Sequence, residues 1–497
     1  MAKLIRRILL VLTSCLLCAE LSAQTAIPAR AAVAAPATIP AIFLSDIHFD
    51  PFLDPTKVAA LNAAPASEWP RILAAPSGPA ITAAQQSALS ACRADKDLGP
   101  DTSNALWQST LAELKRTAAT SRFVIISGDL LAHHFLCKYK VLVPNHDDAG
   151  YLTFSLNTAA YVLTTLHAAL PGVPIYTALG NNDSGCTDNS LAADNDPFLA
   201  DLAPVVAGVA NLSPPVRTFA EHDFAAIGSY NAPLTALPHT RIVSFDDVYL
   251  TAKFTTCAGP ADPTPGARAM AWLKTQLEQA RVAQDRVWFV GHIPPGVDLY
   301  GTVRKLTNVC GGAKATMFLG SDELEQTLAD YSDVVRLALF GHTHDDELRL
   351  LTPKLDGVGS DGVPLKITAS LTPIHGNRPT FTLARVNPAT ATLADYTVMM
   401  SSEPTTTPIT WSREYNYSTT YHQPAFDPAS LTRLLTDFQA DPGDKQPMSF
   451  AYTRQYYPAD APTAVANAAI IASAWQPYAC SLNHITAKSF AACTCGK

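Results

Sequence analysis

Five short apolar runs in this chain each end on, or lead directly into, a Gly or Ser beside a side chain of a type that binds metal ions. The runs occupy residues 41–45, 122–127, 174–179, 286–290 and 337–340. Apolar runs of this length, without polar alternation, predict strands that are buried on both faces. Because α/β proteins bind ligands just beyond the carboxyl ends of such strands, the runs predict one site assembled from several strand ends.

The last run leads into Gly341-His342-Thr343-His344, which places two histidines one residue apart. Side chains at i and i+2 of an extended chain point the same way, so both imidazoles can face one point. Neutral imidazole nitrogens suit Zn²⁺, Mn²⁺ or Fe. Two histidines in an exposed loop would have the same pattern, and only the repetition of the layout at the other strand ends favours metal binding.

Helical periodicity lies between the predicted strands, at 104–120, 156–169, 267–281 and 323–337. Alternation of strand and helix predicts βαβ crossovers with mostly parallel pairing. Further strands are predicted at 241–245, 366–368 and 381–386. An Ala- and Pro-rich insertion at 51–100 interrupts the pattern. We therefore expect a catalytic α/β domain at 41–402 and a C-terminal, mainly helical, cysteine-containing subdomain at 403–497, with a helix at 428–438.

The first residues have the composition of a targeting segment. Lys3, Arg6 and Arg7 precede an apolar stretch at 8–17, and small residues follow, which predicts a signal peptide at 1–23. Residues 24–40 are rich in Ala and Pro and predict an exposed linker. We expect a secreted or periplasmic protein without a transmembrane segment, and a lipoprotein-type cleavage box at 12–15 is a weaker alternative.

Charge and cysteine content narrow the class of protein further. The formal net charge is −8 and no block of Lys or Arg follows residue 23, which argues against a surface that coats nucleic acid. Ten cysteines are present, and eight remain after removal of residues 1–23. An even number in an exported chain predicts disulfides. Hydrophobic residues make up 48% of the chain, enough for a large core, and we expect a monomer.

Together the strand ends hold ligands for two divalent ions. Such a pair needs a bridging carboxylate, and Asp129 has two oxygens to share. The terminal ligands would form two sets, Asp46, His48 and His344 for one ion and Asn181, His292 and His342 for the other. We expect Zn²⁺, with Mn²⁺ or Fe as alternatives. A hydroxide held between the ions would attack phosphorus, and this favours phosphoester hydrolysis over peptide hydrolysis.

The motifs at the strand ends are, in order, Asp46-Ile47-His48, Gly128-Asp129, Gly180-Asn181-Asn182-Asp183, Gly291-His292 and Gly341-His342-Thr343-His344. In this order they resemble the calcineurin-like metallophosphoesterase superfamily, and the chain is most similar to its acid sphingomyelinase-like phosphodiesterases. The resemblance implies a four-layer α/β fold, in which two facing mixed β-sheets are flanked by helices, with a small helical C-terminal subdomain. It also implies a di-zinc site and hydrolysis of a small or lipid-derived phosphoester.

The sequence departs from the family pattern at Asn182, where relatives have a histidine that contacts the phosphate. Endopolyphosphatases resemble this chain there, so a phosphoanhydride hydrolase acting on nucleotides or polyphosphate is an alternative. A non-catalytic metal-binding protein of the same fold is a second alternative, which loss of a ligand would favour. We expect no counterpart of the saposin-like domain of acid sphingomyelinase before Asp46, and this would argue against sphingomyelin itself.

Several further residues receive predicted roles from the resemblance. His133 stands at a second family histidine position and is expected to protonate the leaving oxygen, or else to bond to a ligand. Asn182 is expected to donate a hydrogen bond to a phosphate oxygen. Asp183 is expected to orient a ligand, and His134 to point away. His375 lies either at the pocket mouth or in a surface loop.

The resemblance also implies a disulfide between Cys257 and Cys310, which bracket the Gly291-His292 motif. We further expect Cys480 to pair with Cys493 near the C-terminus. The partners of the other four cysteines stay open, because eight cysteines allow 105 pairings. The open set is Cys92, Cys137, Cys186 and Cys495.

Overall fold

A computed structural model describes residues 38–496 except Asp95, Pro404, Thr406 and Thr407. The predicted signal peptide at 1–23 lies outside the described residues, and so do residues 24–37 of the predicted linker. Within the described part of the chain, no helix combines the length and the apolar character that crossing a membrane requires.

The strands are β1 (Ile39–Leu44), β2 (Val124–Ser127), β3 (Ile175–Ala178), β4 (Ser190–Leu191), β5 (Tyr230–Pro233), β6 (Thr240–Ser244), β7 (Thr255–Thr256), β8 (Arg286–Val290), β9 (Val335–Phe340), β10 (Glu347–Leu351), β11 (Val363–Ile367), β12 (Thr380–Asn387), β13 (Thr392–Ser401) and β14 (Trp411–Asn416). The helices are α1 (Val58–Asn62), α2 (Trp69–Ala74), α3 (Ala83–Ala91), α4 (Asn104–Thr117), α5 (Phe135–Leu142), α6 (Asp148–Ala169), α7 (Pro197–Val209), α8 (Pro214–Ile227), α9 (Thr264–Ala283), α10 (Glu323–Asp330), α11 (Tyr417–Tyr421), α12 (Pro428–Ala440), α13 (Pro447–Gln455), α14 (Ala461–Ser473), α15 (Trp475–Ser481) and α16 (Ala487–Cys495).

Most of the strands form two six-stranded mixed sheets. The first has the order β14-β13-β12-β1-β2-β3, in which β1, β2 and β3 are parallel and β12 to β14 are antiparallel. The second has the order β10-β11-β9-β8-β6-β5, with β6, β8, β9 and β11 parallel. The antiparallel strands β5 and β10 form its edges. The predicted parallel pairing is therefore confirmed in each sheet.

The two sheets face each other across an aromatic core. Trp288 of β8 is fully buried, and its ring centroid lies 6.0 Å from that of Phe43 in β1 and 5.5 Å from that of Phe123. Helix α7 packs on β3, α9 on β6 and β8, and α12 on β10 and β11. The predicted α/β arrangement of two facing mixed sheets with helices packed against them is confirmed.

One predicted helix, at 323–337, is wrong in its second half. Helix α10 ends at Asp330, and β9 begins at Val335. Both segments carry closely spaced buried apolar side chains, and periodicity alone does not separate a short buried strand from the end of a buried helix. Helix α6 begins before the predicted start, because Asp147 caps it by accepting a hydrogen bond from the Gly150 amide at 2.7 Å.

The C-terminal segment contributes to both a sheet and a group of helices. Helices α11 to α16 lie in the predicted subdomain at 403–497, and so does β14. Strand β14 pairs with β13, so the first sheet continues across residue 402. The described residues from 38 to 496 form one compact unit.

All eight cysteines beyond residue 23 form disulfides: Cys92–Cys137, Cys186–Cys257, Cys310–Cys495 and Cys480–Cys493. The predicted Cys480–Cys493 pair is confirmed. The expected Cys257–Cys310 pair is wrong. Strands β4 and β7 pair in parallel, and the Cys257 amide donates to the Leu191 carbonyl, which brings Cys257 to Cys186. The turn that holds Cys310 packs on α16, where Cys495 lies.

Candidate metal centre

The structure brings all seven predicted metal ligands together. Each follows the carboxyl end of a parallel strand: β1, β2 and β3 in the first sheet and β8 and β9 in the second. Six of the seven are buried, and His342 is half-buried. The strand ends meet at one edge of the facing sheets, because parallel strands share a direction.

The first ligand set gathers around Asp46. The Nε2 atom of His344 lies 3.4 Å from Asp46 Oδ1, and the Nε2 atom of His48 lies 3.9 Å from the same oxygen. His48 Nε2 is also 3.3 Å from Asp129 Oδ2. These atoms are close enough to share one cation.

The second ligand set gathers around Asn181. Its Oδ1 atom lies 2.8 Å from His342 Nδ1 and 3.2 Å from His292 Nε2. His292 Nε2 is in turn 3.2 Å from Asp129 Oδ2. The Asp129 carboxylate therefore contacts a histidine of each set, which is the position that a bridging ligand requires.

The backbone at the strand ends is strained. Five of the seven ligands adopt positive φ: Asp46 (46°), His48 (44°), Asp129 (58°), His342 (70°) and His344 (65°). This region costs L-residues roughly 1–2 kcal/mol each. Such strain persists where the surrounding structure enforces it, and it concentrates at functional sites.

Two glycines permit the close approach of the loops. A Cβ atom on Gly180 would collide with the Asp129 carboxylate. A Cβ atom on Gly341 would collide with the hydroxyl of Ser45 and the carboxylate of Asp46. Glycine precedes the ligands at these strand ends because a neighbouring ligand occupies the space of its side chain.

Hydrogen bonds fix the direction of the imidazoles. His48 Nδ1 donates to the Leu131 carbonyl at 2.8 Å, and His292 Nδ1 donates to the Ser127 carbonyl at 2.7 Å. A carbonyl only accepts, so in both rings Nδ1 carries the hydrogen and Nε2 presents its lone pair to the site. Metal-binding histidines are commonly oriented in this way.

Two buried carboxylates hold the loops that carry the ligands. Asp183 accepts hydrogen bonds from the amides of Gly180, Leu130 and Leu131 at 2.7–3.0 Å. The donors are main-chain amides. Asp183 therefore holds the loops of Asp129 and Asn181 in place without bonding to a ligand side chain. Sequence reasoning missed the second carboxylate, Asp247, which accepts from the amides of His292 and Ile293. It follows β6, whose end carries no recognisable motif.

The donor set fits divalent metal ions. His48 Nε2 and His344 Nδ1 are buried and have no hydrogen-bond partner among the described residues. The lone pairs of His48 and His292 converge with carboxylate oxygens, and buried acceptors without donors are costly unless a cation neutralises them. Two groups have metal-binding spacing, one of Asp46, His48 and Asp129 and one of His48, His133 and His344.

The pKa values at the centre reflect this dry environment. Burial, reinforced by the nearby Asp129 carboxylate, raises the pKa of Asp46 to about 7. Burial lowers the pKa of His48 to about 3, with a further contribution from the charge of His133. A bound divalent cation favours the ionised carboxylate and the neutral imidazole, which are the forms that bind metal.

His133 lies beside the ligands without belonging to either predicted set. Its ring stacks on His48 with centroids 3.9 Å apart, and its Nδ1 donates to Asp101 Oδ1 at 3.0 Å. Burial opposes the charged form, but Asp101 raises the pKa of His133 above its ordinary value. Asp101 also accepts from Thr372 and Lys138 at 2.9 and 3.3 Å. No sequence signal identified Asp101, a single carboxylate just after the insertion.

The structure places Asn182 on the bridging carboxylate. Its backbone amide donates to Asp129 Oδ1 at 2.8 Å, and its side-chain amide donates to Asp129 Oδ2 at 2.9 Å. His134 turns away, as expected, and contacts Asp97 Oδ2 at 2.8 Å. His375 lines the pocket beside the candidate centre, with its ring centroid 4.8 Å from that of His344, and does not lie in a remote surface loop. Burial lowers its pKa to about 4.

A cleft of about 690 Å³ opens from the metal centre. Its lining includes Asp129, His133 and Asn182, and the C-terminal segment contributes Tyr456 and Tyr478. Three exposed cations line it: Lys96, Lys253 and Arg304. None of these cations forms an ion pair with a carboxylate among the described residues. The cleft thus combines a negatively charged centre, able to hold cations, with a positively charged rim.

A model of the family "Calcineurin-like phosphoesterase" matches residues 39–346. "Sphingomyelinase phosphodiesterase D" of Dictyostelium discoideum is 26% identical over 331 residues, which cover 65% of this chain and 66% of that protein. "Cyclic GMP-AMP phosphodiesterase SMPDL3A" of Bos taurus is 24% identical over 342 residues, which cover 66% of this chain and 68% of that protein. "Endopolyphosphatase" of Schizosaccharomyces pombe is 28% identical over 206 residues, covering 39% of this chain and 32% of that protein.

Among solved structures, a dimetal phosphatase from Danio rerio aligns with a TM-score of 0.38 at 12% identity. The alignment covers 73% of this chain and 96% of that one. The chain spans about two thirds of the length of the first two curated relatives.

Proposed function

The chain belongs to the calcineurin-like phosphoesterase family, whose model covers residues 39–346, and from this premise we propose that it is a metal-dependent phosphodiesterase. The observation that carries the proposal is the pair of ligand sets joined at Asp129 Oδ2, which lies 3.3 Å from His48 and 3.2 Å from His292. Asp46, His48 and His344 would hold one divalent ion, and Asn181, His292 and His342 would hold the other. Zn²⁺ fits the mixed nitrogen and oxygen ligands, and Mn²⁺ and Fe are alternatives.

When bound, two divalent ions lower the pKa of water and neutralise the charge of a phosphoryl group. The chain contributes the remaining parts of the reaction. The strained loops and the carbonyls of Leu131 and Ser127 keep the ligand atoms directed inward. Most of the ligand side chains are buried away from bulk water, and this strengthens the electrostatic contacts among them.

His133 is the proposed donor of the proton that the leaving oxygen needs. Asp101 fixes its Nδ1–H and favours the protonated ring, so Nε2–H is available to the cleft. A proton donor must reach the leaving atom in a plausible substrate pose, and His133 lines the cleft next to the ligand His344, with ring centroids 5.5 Å apart.

Asn182 has two roles in this proposal. One side-chain N–H and the backbone amide hold the Asp129 carboxylate in its bridging position. The second side-chain N–H is available to a phosphate oxygen, because an amide nitrogen carries two donors. Asn182 cannot transfer a proton, which leaves His133 as the acid.

We infer a small or lipid-derived phosphodiester as the substrate, since relatives named as phosphodiesterases align over about two thirds of the chain. A second candidate is hydrolysis of phosphoanhydrides such as nucleotides or polyphosphate. The exposed cations Lys96, Lys253 and Arg304 favour it, because they suit a substrate with several negative charges. A non-catalytic metal-binding protein of the same fold is disfavoured, since each of the seven predicted positions has a residue able to bind metal and the seven lie close together.

We also propose that the protein is exported and folds as a catalytic domain at 41–402 with a subdomain at 403–497. Four disulfides support export, because such bonds persist in oxidising compartments. The signal-peptide composition of residues 1–23 supports it independently.

A substrate screen tests the reaction type. Protein loaded with Zn²⁺ or Mn²⁺ is given bis-p-nitrophenyl phosphate, ATP and polyphosphate, and released product is followed with metal-free protein as the control. We expect the diester to be hydrolysed with the highest kcat/KM. Preference for ATP or polyphosphate would replace the proposal with phosphoanhydride hydrolysis, and no turnover of any substrate by fully loaded protein would contradict both.

A further inference from the structure

His375 lies where the cleft meets the metal centre, and neither the metal ligand sets nor the proposed reaction uses it. Its ring centroid is 4.8 Å from that of His344 and 5.9 Å from that of His133. It lines the same cleft as Asp129 and Asn182. A substrate whose phosphorus sits at the metal centre therefore carries its leaving group, which His133 must protonate, past this imidazole.

Main-chain hydrogen bonds hold the loop of His375 to the loop of the first ligands. The amides of Leu371 and Thr372 donate to the carbonyls of Ser45 and Asp46 at 3.1 and 3.0 Å. At the other end of the loop, the hydroxyl of Tyr457 donates to the carbonyl of His375 itself. The imidazole is thus positioned before substrate binds, as a specificity-determining group should be.

The hydrogen bond of the ring defines what it offers to a substrate. His375 Nδ1 lies 3.3 Å from the carbonyl oxygen of Lys96. Because a carbonyl only accepts, Nδ1 carries the hydrogen, and Nε2 of the neutral ring keeps a free lone pair. This lone pair can accept a hydrogen bond from a hydroxyl or an amide N–H, but it cannot bind a phosphoryl oxygen, which is itself an acceptor.

We propose that His375 selects phosphodiesters whose leaving alcohol carries a hydrogen-bond donor beside the ester oxygen. The inference rests on the proposed phosphodiesterase function and specifies its substrate class. A vicinal hydroxyl and a vicinal amide N–H share the required chemistry. Either donor would bond to His375 Nε2 while the ester oxygen faces His133.

Three symmetric diesters test the proposal: diethyl phosphate, bis(2-hydroxyethyl) phosphate and bis(2-acetamidoethyl) phosphate. Formation of each monoester is followed by ³¹P NMR with the metal-loaded full chain. We expect kcat/KM to be about 3- to 10-fold higher for a donor-bearing diester than for diethyl phosphate, the contribution of one neutral hydrogen bond. The two donor-bearing probes distinguish a hydroxyl from an amide as the selected group.

Variants of His375 then test whether its side chain causes the preference for donor-bearing diesters. His375→Leu should abolish the preference, whereas His375→Gln should keep part of it, because the amide oxygen of Gln still accepts. The matched control is His222→Leu on α8, whose histidine side chain is 80% exposed and does not line the cleft. It should behave as wild type. Metal content and thermal unfolding should be the same for all four proteins.

Each other outcome overturns the inference. Equal hydrolysis of the three diesters by wild type, or an unchanged preference in His375→Leu, contradicts it while the phosphodiesterase function stands. Loss of bound metal in His375→Leu would instead make His375 a support of His344. Failure of loaded wild type to hydrolyse these diesters and bis-p-nitrophenyl phosphate would remove the proposed function and this inference together.

Discussion

The Asp101–His133 pair offers the sharpest test of how the leaving group is protonated. Asp101 is fully buried and accepts four hydrogen bonds, two from His133 and one each from Thr372 and Lys138, at 2.9–3.3 Å. Asp101→Asn keeps the shape of the side chain but replaces one acceptor oxygen with an NH₂ group. At least two of the four donors then lose their acceptor.

The stability cost of Asp101→Asn follows from these contacts. Hydrogen bonds to a charged group contribute roughly 1.5–3 kcal/mol each, and breaking a buried ion pair costs about 3–5 kcal/mol. Lys138 keeps its 2.7 Å contact with Asp50, so its charge is not left unpaired. We therefore expect a loss of about 3 kcal/mol, measured by denaturant unfolding, with a protein that still folds and binds two ions.

The catalytic cost should depend on the leaving group. General acid catalysis accelerates a reaction by about 10²–10⁴-fold. His133→Ala should lose this rate factor when the leaving group is an alkyl alcohol. Asp101→Asn leaves the imidazole in place but removes the carboxylate that favours its protonated form. We therefore expect a smaller loss of hydrolysis rate, about 10- to 10²-fold. With p-nitrophenolate, which leaves without protonation, both variants should lose less than about 3-fold.

A double-mutant cycle on diethyl phosphate separates positioning from independent effects. If Asp101 acts through His133, the double variant should be no slower than His133→Ala alone, because groups that act as a unit are not additive. Metal content is measured for every variant. Equal losses on alkyl and aryl substrates, or additive losses in the cycle, would refute the assignment of His133 as the acid.

Asp129→Asn should fold but lose nearly all activity, and metal analysis should find fewer than two ions per chain, because an amide cannot bridge two cations; two retained ions with normal turnover would contradict its bridging role. Gly180→Ala should also lose metal, since the new Cβ meets the Asp129 carboxylate. The control is Gly208→Ala on α7, where nothing lies within 4 Å of the new Cβ; it should bind metal normally and gain roughly 0.5–1 kcal/mol of stability. Proteolysis without reduction should yield a linked peptide pair containing Cys186 and Cys257, and thiol titration of the denatured protein should find few free cysteines; a linked Cys257–Cys310 peptide would contradict the structure.

Much of the candidate site could be predicted from the sequence, because its residues lie in short motifs beside recognisable strands. Asp46, Asp129, Asn181, His292 and His342 each follow directly on a Gly or Ser that lies just beyond a short apolar strand. A buried strand has a clear signature, and the rule that sites lie at the carboxyl ends of parallel strands gathers distant motifs without knowledge of the contacts. The parallel pairing within each sheet follows from the same signal, whereas the division into two facing mixed sheets was implied by the family resemblance.

Other features depended on contacts between segments that no local pattern connects. Asp101 reaches His133 and Thr372 from the end of the insertion, and the amide of Asn182 turns onto Asp129. For His375 the sequence left two interpretations open, a surface loop or the edge of the pocket, and the docking of its loop on the first strand end decided between them.

The disulfides show the same division most clearly. The even count of cysteines predicted that they would pair, because this depends only on composition and compartment. Which cysteines pair depends on which Cα atoms come within about 4.4–6.8 Å of each other. The pairing of β4 with β7 brought Cys186 to Cys257, and the packing of α16 brought Cys495 to Cys310. Those contacts exist only in the folded chain, since they join residues that are 71 and 185 positions apart.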